Sequence, residues 1–229
     1  MNTKLIAKNI LDIEGVVGIG SSPTIKIFVE SEDYIDAVPK TIHGKKVDVY
    51  VTGRVRALDR VRPVVGGVSV GNPKITAGTL GIVHNGLIIS NCHVLAMDED
   101  GNFLDHTEIW QPGPLDGGSE YDVIGYLLAY IPIEFNSLTA DNRVDIAIGK
   151  MIEDYVNDAL LINDSLVKIN LSPVDLKEGD VVFKVGRTTG LTKGIVVSES
   201  ASVKVFYTED KWAVFHDVYV IKGMDGAFM

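Results

Sequence analysis

The stretch GIVHNGLIISNCHVLA, residues 81–96, carries two signals at once. Asn85-Gly86 stands between two apolar runs, the strongest short hairpin signal a sequence offers, because the tight turn needs positive φ at both central residues. Leu87-Ile88-Ile89 then reads as a strand, runs into Ser90-Asn91-Cys92-His93, and resumes as Val94-Leu95-Ala96. A histidine in that place is either a hydrogen-bonded packing residue or a base that serves a nucleophile.

Outward from this hairpin the texture is uniform. Beyond Arg62-Pro63, glycine becomes frequent and short β-rich runs alternate with turn signals: VIGYLLAYIPI (123–133), RVDIAIGKM (143–151), DVVFKVGRTTG (180–190), KGIVVSES (193–200) and SVKVFYTEDKWAVF (202–215). Many short strands with glycine-rich turns predict a sandwich or barrel. Only residues 152–163 read as a helix or an irregular linker. The first sixty residues differ. Leu5, Ile6, Ile10, Leu11 and Ile13 fall near a 3.6 period and predict a short amphipathic helix over 1–15. Strands follow at VVGIG (16–20) and TIKIFVE (23–29), turned at Ser21-Ser22, then a second short helix over 31–39 and an alternating strand over 45–58. This is a small α+β unit with its own core.

Composition narrows the functional classes. The chain has 229 residues, 46% of them hydrophobic, which suffices for one sizeable core or two modest ones. Its net charge of −10 repels phosphate backbones, so no nucleic acid partner is expected. The longest nearly uncharged apolar stretch, 123–133, is too short to span a bilayer, and no membrane association is expected. A single cysteine and the charge-interrupted N-terminus predict a reducing compartment, the cytoplasm.

Candidate chemistry gathers at two places. His93 is the first. The second is Asp145 in NRVDIAIGK (142–150), where a carboxylate enters an apolar strand. Such a group either faces water at a strand edge or is paired, since burying it alone is costly. Together His93 and Asp145 supply a base and the group that orients it. Cys92 adjoins His93, but chain neighbours at a strand end point apart, so it reads as a buried structural thiol. His84, Asp98, Asp100 and His106 match no zinc spacing, and neither a metal nor any other cofactor is expected.

These motifs, in this order, resemble the trypsin-like, chymotrypsin-fold serine peptidases, most of all their bacterial and phage-type branch. GTLGIVHNGLIISNCHVLA (78–96) is similar to the histidine motif, and QPGPLDGG (111–118), VDIAIGK (144–150) and KVGRTTGLTKGIV (184–196) follow as they do there. VVGGVSVGNP (64–73) is similar to the start of many mature trypsin relatives. The resemblance covers roughly residues 61–229. It implies a chymotrypsin-like double β-barrel, the first barrel over about 74–150 and a partial second over about 165–229; the small α+β domain over 1–60, placed before Val64-Val65-Gly66-Gly67, reads as a pro-domain or as an accessory or oligomerisation domain. The resemblance also implies a catalytic base at His93, its orienting carboxylate at Asp145, a structural role for the 186–190 hairpin, and a peptide or protein substrate.

One part of the family pattern is missing. No Gly-x-Ser-Gly occurs, and Ser198, Ser200 and Ser202 lack the glycines of a nucleophile loop and read as a hairpin turn. Two expectations follow. The chain is a serine endopeptidase, as precursor or processed form, whose serine lies beyond residue 229 on a C-terminal piece that completes the second barrel. Otherwise it is an inactive protease-fold module that binds a peptide or protein.

Overall fold

The computed structural model describes residues 7, 9–20, 24–52 and 60–224. The chain divides into two units, 1–57 and 58–229. Of the first expected helix, residues 7 and 9–11 are helical, while 1–6 and 8 lie outside the described residues, as does the Ser21-Ser22 turn. Four strands follow: β1 (Val16–Gly20), β2 (Ile25–Val29), β3 (Thr41–Ile42) and β4 (Lys45–Val51). They form a mixed sheet in the order β1-β2-β4-β3, with β2 and β4 parallel. β2 shows period-2 burial: Ile25, Ile27 and Val29 are buried and Lys26 and Phe28 less so. The short helix expected over 31–39 is a single 3-10 segment, Glu32–Ala37. β4 ends at Val51, and the rest of the strand expected to 58 falls largely on residues 53–59, outside the described ones.

The second unit is mainly β. Its strands are β5 (Val64–Gly66), β6 (Ser69–Val70), β7 (Gly78–Thr79), β8 (Ile82–His84), β9 (Leu87–Ser90), β10 (Glu108–Trp110), β11 (Val123–Tyr130), β12 (Ala147–Met151), β13 (Tyr155–Ile162), β14 (Ser165–Lys168), β15 (Val181–Gly186), β16 (Gly190–Phe206) and β17 (Trp212–Gly223). A five-stranded antiparallel sheet, β10-β11-β12-β9-β8, is the largest, beside two three-stranded sheets, β14-β13-β5 and β15-β16-β17, and the two-stranded β6-β7. None of the sheets is closed. The β8–β9 hairpin turns at Asn85 (φ +48) and Gly86 (φ +73), as the Asn-Gly pair predicts.

One core gathers around the five-stranded sheet. Val83, Ile88, Ile109 and Ile124 are fully enclosed there, together with Leu80 and Leu95. Each such side chain contributes about 1.5–3 kcal/mol relative to exposure. Ala213 and Phe215 at the start of β17 join the same core, and Asn142 ties β17 to the chain before β12 by accepting from His216 N–H at 2.9 Å and donating to Val214 O at 3.0 Å.

Residues 152–163 are not a helix or linker. They contain β13, which runs parallel to β5 on one side and antiparallel to β14 on the other. Asn157-Asp158 masks the strand in the sequence, and Asp158 (φ +53) lies where the register with β5 slips. Ser198, Ser200 and Ser202 do not form a hairpin turn either. They lie within β16, whose bulges toward β17 accommodate the polar stretch, and the turn comes later, closed by Tyr207 N–H to Lys211 O at 2.9 Å.

Among the described residues, no helix is long and apolar enough to cross a membrane.

Candidate active site

β9 delivers the chain to the site, and a single helical turn, α1 (Cys92–Leu95), points the histidine. In one turn, Cys92, Val94 and Leu95 face the core and are buried, which leaves His93 on the outer side. Gly78 on β7 makes this possible: a Cβ there would meet the Val94 side chain at 2.3 Å. The glycine of the GTLG motif is therefore a packing requirement of the histidine turn.

Register brings the aspartate to it. β12 pairs antiparallel with β9, with Ala147 opposite Ser90. The residue two before Ala147 therefore faces the residues just after Ser90. Asp145 thus meets α1 across 52 positions of sequence, with His93 Nδ1 and Asp145 Oδ2 2.5 Å apart. The His93 N–H, one of the helix-start amides with no partner inside its own turn, donates to Asp145 Oδ1 at 3.2 Å. Asn91 Nδ2 donates to the Asp145 carbonyl at 3.0 Å, which holds the backbone as well. A third donor to the carboxylate is the Tyr207 hydroxyl, 3.1 Å from Oδ2.

The electrostatics follow from these contacts. The Asp145 side chain is 15% exposed, so it does not face water from a strand edge. Burial pushes its carboxyl upward, but hydrogen bonds and charge from His93, its backbone N–H and the Tyr207 hydroxyl outweigh burial and hold it below the usual Asp value. The carboxylate is therefore ionised at neutral pH, and His93 Nδ1 carries the proton it accepts. No described side chain hydrogen-bonds His93 Nε2, on a side chain 42% exposed. Burial, with the Asp145 charge adding to it, pushes the Cys92 thiol up to about 12, so it stays a neutral packing group as its place in the sequence suggests.

Beside His93 lies a recess of about 80 Å³ lined by Ile75, Met97, Glu99, Gly101, Tyr207 and Thr208 among others. Among the described residues, no hydroxyl or thiol donates to His93 Nε2. Ser202 Oγ instead meets His216 Nδ1 at 2.7 Å, Ser200 bonds Asp217 at 2.9 Å, and Ser198 bonds the Ser200 carbonyl at 3.1 Å. The described His, Cys, Asp and Glu side chains form no group able to hold a metal.

Two further motifs meet away from the histidine. Arg187 of the 186–190 hairpin makes a two-pronged bond to Asp116 of QPGPLDGG, Nε to Oδ2 at 2.7 Å and Nη2 to Oδ1 at 2.8 Å. Ser69 Oγ adds a third donor to the same carboxylate, and Arg187 N–H donates to Thr79 Oγ1 at 2.9 Å. These are structural contacts that join the β15–β16 hairpin to the β6–β7 region. Val64 and Val65 of VVGG are fully enclosed in β5, with Val64 N–H bonded to Asp154 O at 2.7 Å.

The sequence singled out His93, Asp145 and the inert Cys92, but not Tyr207, Asn91 or the Asp116–Arg187 pair as a pair. Nothing local marks Tyr207, a tyrosine in the polar turn FYTEDKW; only the fold of β16–β17 brings it to Asp145. Compared with protein-family models and with curated proteins, the chain matches none of either.

Proposed function

We propose that this chain carries the base and orienting carboxylate of a trypsin-like serine endopeptidase, with His93 as general base and Asp145 as the group that fixes its tautomer. The observation that carries this reading is the His93–Asp145 contact: a largely enclosed carboxylate on Nδ1, and an Nε2 that no described side chain bonds, on a ring 42% exposed. That is the arrangement in which an imidazole takes a proton from a hydroxyl and returns it to a leaving amine. The substrate class is a peptide bond, hydrolysed through an acyl-serine.

The reading needs a serine that the described residues do not place at Nε2, and we assign it to a Gly-x-Ser-Gly segment outside these 229 residues, covalently continuous or held as a second chain. The β15–β16–β17 sheet is compatible with such a segment. Val181 and Phe183 and the cross-strand Leu191 lie on one face of it and are 46%, 63% and 43% exposed. Exposed apolar side chains on this face, with Lys193 opposite Phe183 among them, suit a chymotrypsin-like second barrel that further strands complete.

The same vacant Nε2 favours a second reading, an inactive protease-fold module that binds a peptide or protein. Labelling with a fluorophosphonate, applied to the protein together with all downstream coding sequence, separates the two. Covalent labelling that disappears in His93→Ala supports the peptidase. Absence of labelling in a folded, complete product overturns it.

A further inference from the structure

The Asp145 carboxylate has a partner that comes from the far end of the unit. We propose that Tyr207 is a positioning residue of the candidate active site: its hydroxyl fixes the Asp145 carboxylate in the orientation that presents Oδ2 to His93 Nδ1. The proposal rests on the reading of His93 and Asp145 as base and orienting group, and it names a third side chain on which their alignment depends.

Three observations carry it. First, Tyr207 donates to the same oxygen, Oδ2, that accepts from His93 Nδ1, at 3.1 and 2.5 Å. A carboxylate can rotate about its Cβ–Cγ bond. The His93 N–H on Oδ1 is a long contact at 3.2 Å, so Tyr207 supplies a second fixed donor on the oxygen that matters. Secondly, the tyrosine ring stands edge-on to the imidazole, with centroids 5.7 Å apart, and edge-on to Phe135 at 5.3 Å. One side chain thus touches both members of the pair.

Thirdly, the turn that bears Tyr207 is anchored rather than free. Lys211 closes it by accepting from Tyr207 N–H at 2.9 Å. Its ammonium donates to Gly101 O at 2.9 Å and Asn102 Oδ1 at 3.2 Å, and lies 5.7 Å from the Phe135 ring centre. Asp98 closes the 98–102 turn on its side by accepting from the Asn102 N–H at 2.8 Å. The β16–β17 hairpin is thereby fastened to the loop that follows α1, and the tyrosine arrives at Asp145 preoriented.

The phenol is suited to this role. Burial, then the neighbouring Asp145 charge and the hydrogen bond to it, push its ionisation well above the ordinary tyrosine value, so it remains a donor across the working pH range. The titratable groups facing Asp145 are His93, Cys92 and Tyr207, and of these Tyr207 is the neutral hydroxyl donor.

Nitrogen-15 NMR of the His93 ring in the full 229-residue chain tests this at neutral pH, with no need for catalysis. The wild-type ring is expected in the Nδ1–H form, with a slowly exchanging, far-downfield Nδ1 proton. In Tyr207→Phe, which keeps the ring against Phe135, the Nδ1 proton is expected to exchange faster and the ring to show a mixture of tautomers. A folded Tyr207→Phe whose Nδ1–H form and exchange rate are unchanged overturns the proposal. If that variant does not fold, the wild type still decides: a protected Tyr207 hydroxyl proton, lost in Asp145→Ala, supports the clamp, and its absence from the wild type overturns it. A shifted tautomer together with a failure of fluorophosphonate labelling would leave the clamp standing and remove the peptidase reading alone.

Discussion

The β8–β9 hairpin carries a histidine–aspartate pair at each end, and the two differ in a way that separates chemistry from architecture. At the turn, His84 Nδ1 meets Asp158 Oδ1 at 2.6 Å, while its Nε2 lies 3.0 Å from Asn85 Nδ2. Both ring nitrogens are occupied. Asp158 is 28% exposed and is also bonded by Asn157 Nδ2 at 2.8 Å, so the pair fastens the hairpin tip to β13. At the other end, His93 pairs with a carboxylate about half as exposed and keeps Nε2 unoccupied. A short His–Asp distance alone therefore identifies nothing. What makes a base is a carboxylate on one nitrogen and an accessible lone pair on the other.

The largest expected effect breaks the His93 end. In the proposed serine-completed enzyme, Asp145→Asn should lower kcat by about 10⁴-fold while the protein stays folded, because the amide holds the imidazole in the wrong tautomer. His93→Ala should remove turnover without unfolding the chain. If Asp145→Asn retains more than a tenth of wild-type kcat, Asp145 does not orient the base.

The next effect is on stability and spares both pairs. Arg187→Ala leaves the Asp116 carboxylate, 11% exposed, without its charge partner. A loss of about 3 kcal/mol in urea unfolding is expected, as for other broken buried pairs. An unchanged midpoint would show that water replaces the guanidinium.

At the turn end, His84→Ala should cost about 1 kcal/mol, the net worth of its hydrogen bonds, and leave activity untouched. Loss of turnover in a folded His84→Ala would erase the contrast between the two pairs. Cys92→Ala, beside His93 but facing the core, should likewise cost about 1 kcal/mol and spare catalysis. A folded but inactive Cys92→Ala would reassign the thiol.

Acid sharpens the comparison from the side of Asp145. Its folded carboxyl lies below the ordinary 3.8, so the stability it contributes is present above that value and is lost as pH falls through the lowered one. Wild type and Asp145→Asn should therefore show stabilities that differ more at neutral pH than at the acid end. A difference that does not shrink on acidification would contradict an ionised Asp145.

How much was legible in advance depends on the range of each signal. The Asn85-Gly86 turn, the strand over 25–29 and the buried Cys92 rest on neighbours in sequence, and those readings describe the chain as it folds. Residues 152–163 were misread because Asn157-Asp158 interrupts an apolar run whose strand character comes from β5 and β14. Ser198, Ser200 and Ser202 look like a turn because polar residues cluster there, yet cross-strand pairing with β17 keeps them extended.

By itself the sequence determined the residue types that chemistry would need: an imidazole after a strand and a carboxylate entering an apolar one, with no Gly-x-Ser-Gly to serve them. Only the tertiary structure decided which histidine has a free nitrogen, that the Ala147–Ser90 register sets Asp145 against His93, and that Tyr207 reaches the same oxygen from 62 positions away. The reason is physical. Turns and burial patterns are written in local steric and hydrophobic preferences, whereas the environment of a carboxylate is set by groups that share no sequence neighbourhood and meet only when the sheets pack.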